Sequence, residues 1–114
     1  GGAVQGIGGA MLEEFTYGAD GQPLSATFAD YLLPSATDVP KIRSVALEET
    51  PSTVNPLGFK GAGEGSIVAS GAVIANAVAD ALAGHGIEIT ELPLSPSNLR
   101  RIIAEADHAG GKEK

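Results

Sequence analysis

The chain has 114 residues, a formal charge of −7 and no cysteine, with 43% hydrophobic and 4% aromatic residues. Its length fits one small domain with an aliphatic core, and 14 acidic against 7 basic residues exclude the electrostatics of a nucleic-acid binder. Without cysteine it holds no disulfide, thiolate-bound zinc or iron–sulfur cluster, and its two histidines predict no metal site.

The first predicted element is an amphipathic helix over residues 3–15. Its apolar residues recur at intervals of three and four, as on one helical face: Val4, Ile7, Met11, Leu12 and Phe15. Its first half contains Gly6, Gly8 and Gly9, each of which lowers helix stability by about 1 kcal/mol relative to alanine. Because short helices depend on tertiary packing, we expect close neighbours around this helix.

The middle of the chain predicts a turn, a strand and a long loop. Asp20-Gly21 is a turn signal, and residues 41–49 have the β-branched and apolar content of a strand. Residues 50–65 contain two prolines and four glycines, which exclude a regular helix or a central strand. Met11, Phe15 and Phe28 are expected in the core.

Two further helices are predicted in the second half. Residues 66–83 carry one narrow polar stripe, which indicates a mostly buried helix that stops at Gly84-His85-Gly86, before a short strand over 87–91. Ser95 is expected to cap a last helix with Pro96 at its first position. The predicted fold class is α+β, with three helices, two or three short strands and a central glycine-rich loop. Residues 1–106 form the folded part and 107–114 a disordered polar tail.

The loop from Asn55 to Ser66 is the segment most suited to chemistry. It fits neither the P-loop pattern, because Lys60 precedes the closely spaced glycines, nor the dinucleotide pattern, because the third glycine is missing. Its glycines let a large ligand approach the backbone. Glu64 lies where a helix is predicted to begin, and a carboxylate there suits a general base. The alternative is a solvated acid in a surface turn.

Several motifs in order resemble one known family. They are Val4-Gln5-Gly6-Ile7-Gly8, Leu12-Glu13-Glu14, Asn55-Pro56-Leu57-Gly58 and Lys60-Gly61-Ala62-Gly63-Glu64. Over about Gly1 to Ile103 the chain resembles the C-terminal part of the molybdopterin-binding large subunits of the xanthine dehydrogenase and aldehyde oxidase family. It looks most like the aerobic carbon monoxide dehydrogenase branch.

The resemblance implies a role for particular residues. Glu64 corresponds to the base beside molybdenum, and Gln5 corresponds to a residue that contacts the pterin. The cofactor-binding residues expected from it are Gln5, Gly6, Lys60, Gly61, Ala62 and Gly63. No metal ligand is expected from this chain. Without the resemblance, Gln5 would be an ordinary polar residue on a helix, and Glu13-Glu14 is expected to be a solvated helix face.

The resemblance also implies partners. Molybdenum with molybdopterin, in its cytosine dinucleotide form, is expected to be bound mostly by sequence outside this chain. Iron–sulfur clusters and FAD are expected on partner domains or subunits, in a cytoplasmic oxidoreductase that can lie at the inner face of the membrane through those partners. The chain alone is expected to be inactive, and the substrate stays open among carbon monoxide, an aldehyde and an N-heterocycle. The alternatives are a non-catalytic small subunit or scaffold and an unrelated acidic interaction domain.

Overall fold

The computed structural model describes residues 1–110. These residues form three α-helices, α1 (Gly2–Met11), α2 (Ser70–Ala81) and α3 (Pro96–Gly110), and a 3₁₀ helix (Ala83–His85) that follows α2. Helix α1 packs against α2, and the 3₁₀ helix contacts both α2 and α3. The three predicted helices are thus confirmed. None of the helices in this part of the chain is long and apolar enough to cross a membrane.

Two of the helices are shorter than predicted. Helix α1 ends at Met11 instead of residue 15. At this end the amides of Leu12 and Glu13 both donate to the carbonyl of Gly8, each at 2.8 Å. Helix α2 begins at Ser70 instead of Ser66, because residues 65–69 form turns with three-residue hydrogen-bond spacing. The predicted stop after α2 is confirmed, since Gly86 adopts a left-handed φ of 66°.

The start of α3 follows the sequence prediction. Ser95 precedes Pro96, and its Oγ accepts a hydrogen bond from the Asn98 amide at 3.3 Å, as an N-cap residue does. At its other end, α3 continues to Gly110, so the first four residues of the predicted tail 107–114 are helical. The remaining residues of that tail, 111–114, lie outside the described residues.

The predicted strands do not form within the described residues, whose regular elements are all helices, so the α+β part of the predicted fold class is not confirmed. Residues 41–48 and 87–90 have no strand pairing. The one β interaction among residues 1–110 is an isolated antiparallel bridge between Tyr17 and Pro23. A strand needs a neighbour for its backbone hydrogen bonds. The composition of 41–49 indicates a preference for strand. The strand itself forms only beside a partner strand, and residues 1–110 supply none.

The expected aliphatic core is also largely missing. Among residues 1–110 the buried hydrophobic residues are Ala10 and Leu94, joined where the Leu94 amide donates to the Ala10 carbonyl at 2.6 Å. Phe15 and Phe28, expected in the core, are 53% and 83% exposed, and α2, expected to be mostly buried, has no buried residue. Periodicity marks side chains that prefer burial, but it does not show that their neighbours are in the same chain.

The dimensions agree with this lack of a core. The radius of gyration is 18.8 Å, whereas a compact chain of this length has about 13 Å. The accessible surface is 8853 Å², whereas a folded monomer of this mass exposes about 5,800 Å². The chain is therefore extended, and it exposes about 3,000 Å² more surface than a compact chain of this mass.

Candidate functional site

The contact between α1 and the start of α2 is made by glycines and serines. A Cβ built on Gly2 would lie 2.1 Å from the Ser66 Oγ, and one built on Gly6 would lie 2.3 Å from the Ser70 Cβ. Both distances are far below ordinary van der Waals contact. At Gly6 the contact is with a Cβ atom, which cannot rotate away, so only glycine fits there, whereas at Gly2 rotation of the Ser66 hydroxyl would relieve it. The glycines that weaken α1 as an isolated helix are what allows it to approach α2.

This packing fixes the end of the glycine-rich loop beside the first turn of α1. The same Cβ on Gly2 would lie 3.4 Å from the Gly63 carbonyl oxygen. The Ile67 amide donates to the Glu64 carbonyl at 3.0 Å, and the Ser70 Oγ donates to the Ser66 carbonyl at 2.7 Å. Residues 63–70 are therefore held as a turn that leads from the loop into α2, with Glu64 in it.

The other end of the loop is held by Asn55. Its Oδ1 accepts the Phe59 amide and its Nδ2 donates to the Phe59 carbonyl, both at 3.0 Å. Gly58 has a φ of 69°, and a Cβ there would lie 2.8 Å from the Pro51 Cβ, so glycine is required twice over. Asn55 was not among the predicted site residues, although its place in the Asn-Pro-Leu-Gly motif was a signal for a structural role.

Between these two anchors the loop is open. Lys60, Ala62 and Glu64 are exposed, and Cβ atoms built on Gly61, Gly63 or Gly65 would meet no atom within 4 Å. Contacts within the described chain therefore do not require glycine at these three positions. What the glycines provide is bare backbone facing outward, which a bulky group can approach closely.

Gln5 is an exposed residue of α1. It lines a cleft of about 410 Å³ between α1 and the start of α2, with Gly6, Ile67 and Val68. Ile67 and Val68 follow Glu64 by three and four residues, so the cleft adjoins the turn that carries Glu64. No hydrogen bond joins Gln5 to Glu64 within residues 1–110, and the structure brings together the segments that carry them rather than the two side chains.

Glu13 also lines this cleft, contrary to the prediction of a solvated face. Its Oε2 accepts a hydrogen bond of 2.6 Å from the Tyr31 hydroxyl, which raises the pKa of Tyr31, with smaller contributions from burial and from the charge of Glu13. The sequence signal for this position of Glu13 was the four-residue spacing of Gln5, Gly9 and Glu13, which all line the cleft.

Glu14, the second half of the predicted solvated pair, links the segment that follows α1 to the start of α3. Its Oε1 accepts a hydrogen bond from the Asn98 Nδ2 at 3.1 Å, and its Oε2 accepts one from the Ser97 Oγ at 3.4 Å. A carboxylate beside the first turn of a helix also interacts favourably with the helix dipole. Sequence reasoning gave no sign of this contact, because it joins residues more than 80 positions apart.

Comparison with known proteins adds to this geometry. Residues 1–40 match the family described as molybdopterin cofactor-binding domain. The chain is 50% identical over 99 residues to the 6-hydroxypseudooxynicotine dehydrogenase complex subunit gamma of Paenarthrobacter nicotinovorans, which covers 87% of this chain and 12% of that protein. It is 39% identical over 83 residues to the carbon monoxide dehydrogenase large chain of Afipia carboxidovorans, covering 73% of this chain and 10% of that protein.

A solved structure shows the same fold. Quinoline 2-oxidoreductase from Pseudomonas putida 86 matches with a TM-score of 0.81 and 42% identity, over 91% of this chain and 13% of that one. The chain thus spans 10–12% of the two curated relatives and 13% of the solved chain, consistent with the large uncovered surface. By sequence, by fold and by the Lys-Gly-x-Gly-Glu loop, the chain belongs to the family of molybdopterin-binding large subunits of molybdenum hydroxylases.

Proposed function

We propose that this chain supplies the active-site base and part of the cofactor-binding surface of a molybdenum hydroxylase large subunit, with Glu64 as the base. The observation that carries this proposal is the open loop at Gly61, Gly63 and Gly65, held at both ends, with an exposed carboxylate among its bare backbone. A loop that is held at both ends, with glycines that no internal contact requires, suits a base beside a bulky cofactor.

The residues present fit such a cofactor. Backbone amides at 61 and 63 have no Cβ beside them and can approach a pterin closely, while the Lys60 ammonium can pair with phosphate. Gln5 offers one acceptor and two donor hydrogens at the edge of the cleft, which suits the polar rim of a pterin. Gly6 lines the same cleft as Gln5 and also keeps α1 close to α2.

When bound, the molybdenum cofactor supplies the two-electron redox chemistry of the hydroxylation. The Glu64 carboxylate accepts a proton on one of its oxygens from the water or hydroxyl that attacks the substrate carbon. The hydrogen bonds at Asn55 and at Ser66 hold the backbone on either side of Glu64, and general bases held in position contribute about 10²- to 10⁴-fold to rate. The chain alone, lacking most of the subunit, is inactive in this proposal.

The relatives support a nitrogen heteroaromatic as the substrate class. Identity is 50% to the relative named for a nicotine derivative and 42% to the one named for quinoline, against 39% to the carbon monoxide dehydrogenase chain. The same comparison supports assembly with partner subunits, as the relatives are described as a complex subunit and a large chain. The proposal includes iron–sulfur clusters and FAD as the path by which electrons leave, and the cytosine dinucleotide form as the cofactor.

The test is Glu64→Gln in the assembled enzyme, with Glu88→Gln as the matched control because Glu88 is another exposed glutamate outside the loop. Glu64→Gln is expected to lower kcat on quinoline or a pyridine by about 10²-fold or more at unchanged molybdenum and pterin content. Glu88→Gln is expected to leave both unchanged. Full turnover by Glu64→Gln would refute the role of Glu64 and favour a scaffold function. Turnover of carbon monoxide but of no heteroaromatic would refute the substrate class.

A further inference from the structure

Leu92 lines the cleft beside Gln5, although the two residues lie near opposite ends of the described chain. A Cβ built on Gly71 would lie 3.0 Å from the Leu92 Cδ1, so the Leu92 side chain reaches the start of α2. The cleft of about 410 Å³ therefore has three walls, which are α1 with Gln5, the start of α2 with Ile67 before it, and Leu92.

Two buried residues follow this third wall. Leu94 is 0% exposed and Ser95 is 3% exposed. The Leu94 amide donates to the Ala10 carbonyl at 2.6 Å. Because α1 ends at Met11, that carbonyl lies in the last turn, where the helix has no further amide to bond it. Leu94 therefore completes the end of α1, and this contact sets where Leu92 lies relative to the helix.

The Asn98 side chain makes a second contact between the same two parts of the chain. Its Nδ2 donates to the Glu14 Oε1 and to the Pro93 carbonyl, both at 3.1 Å. One amide group thus joins the segment that follows α1 to the residue next to Leu92. Both neighbours accept hydrogen bonds, so position 98 requires a donor, and a carboxylate there would meet Glu14 with like charge.

We infer that Asn98 is a positioning residue for the molybdenum cofactor, because its amide holds Leu92 in place as the third wall of the cleft. The inference rests on the proposed function, which assigns part of the cofactor to the cleft beside Gln5. An apolar wall together with one polar side chain suits a flat ring system that carries polar groups at its rim. Leu92 and Gln5 would hold that ring, and Asn98 acts through Leu92 without a contact of its own.

The test is the rate at which the purified, assembled enzyme releases its pterin, measured by pterin fluorescence after transfer to cofactor-free buffer. Asn98→Asp removes both donors and adds a charge beside Glu14. It is expected to speed release by about 10- to 100-fold, as the loss of a residue that orients a binding group does. The matched control is Asn76→Asp, the same change at an exposed position of α2, which is expected to leave release unchanged. Release from Asn98→Asp at the wild-type rate would overturn the inference.

A double variant separates positioning from a general loss of stability. In Glu14→Gln with Asn98→Asp, the donor and the acceptor exchange places, so one hydrogen bond of the pair is available again. The double variant is expected to release the pterin at least about twofold more slowly than Asn98→Asp alone. Equal release rates in these two variants would contradict a role for the pair.

Leu92→Ala tests the wall itself and leaves the hydrogen bonds of Asn98 unchanged. Leu92 is 48% exposed, so its truncation removes little packing within the described chain. Release is expected to be about fivefold faster or more, and a wild-type rate would overturn the inference even if Asn98→Asp does not assemble. Because release needs no turnover, the inference can fail while Glu64→Gln still abolishes activity, and the reverse.

Discussion

Substitution of Gly6 by alanine tests the helix contact on which the site depends. The added Cβ would lie 2.3 Å from the Ser70 Cβ and 2.4 Å from its Oγ. Because a Cβ carries no freedom to rotate away, α1 and α2 must separate by about 1 Å to reach ordinary contact. Such overpacking costs about 1–3 kcal/mol, and the better helix propensity of alanine returns about 0.5–1 kcal/mol. The packing term is the larger one, so the variant is expected to be destabilised.

The displacement also reaches the candidate base. Ser70 bonds to the Ser66 carbonyl, and Ser66 follows Glu64 by two residues. A shift of about 1 Å in a catalytic group can lower the rate by about 10²-fold. Gly6→Ala is therefore expected to lower both kcat and resistance to heat inactivation in the assembled enzyme, at unchanged subunit composition.

The control is the double variant Gly6→Ala with Ser70→Gly. Removing the Ser70 Cβ and Oγ relieves the clash, so the two substitutions are expected to couple favourably by about 0.5–3 kcal/mol, although Ser70→Gly alone weakens α2 and loses the bond to Ser66. Wild-type turnover and heat resistance in Gly6→Ala would refute the close helix contact. So would strictly additive effects in the double variant.

Two further predictions concern the loop and the cleft. Gly58→Ala places a Cβ at a φ of 69°, 2.8 Å from the Pro51 Cβ, and is expected to lower stability by at least about 1–2 kcal/mol and to lower kcat. The control is Gly21→Ala, at a φ of 80° in open space, which is expected to lower stability without affecting kcat. Equal kcat values in the two variants would contradict this prediction. Because the hydrogen bond to Glu13 raises the pKa of Tyr31, this contact stabilises the fold below the ordinary tyrosine pKa of about 10 and is lost as pH rises through the raised value. Unfolding measured across the alkaline range is expected to show a smaller loss of stability in Tyr31→Phe, and an identical pH profile would contradict the assignment.

The local parts of this fold could be predicted from sequence. Ser95 with Pro96 predicted the start of α3, and Gly84-His85-Gly86 predicted the end of the second helical region, because capping depends on a few adjacent residues. The loop over 50–65 was predicted for the same reason, since proline and glycine determine the backbone conformation at their own positions. The motif around Glu64 placed the candidate base in an open loop.

The parts that depend on distant residues could not be predicted. Glu13 looked like half of a solvated pair, yet it accepts a hydrogen bond from Tyr31, 18 residues away. Residues 41–49 were assigned as a strand from composition, but a strand is completed by its neighbour, and residues 1–110 contain none for it. Phe28 was expected in a core for its type alone, and it is exposed, because residue type does not show which side chains pack around it.

The glycines divide into two groups, and this division bears on what the missing surface is. Gly2, Gly6 and Gly58 are explained by contacts inside the chain, since a Cβ at any of them would meet another atom at 2.8 Å or less. Gly61 and Gly63 meet nothing, have no positive φ and lie in the loop of the candidate base. A glycine costs stability through its conformational freedom, and in this loop no contact inside the described chain offsets that cost, which favours an external contact. We propose that this external contact is the cofactor, on the Glu64 side of the loop.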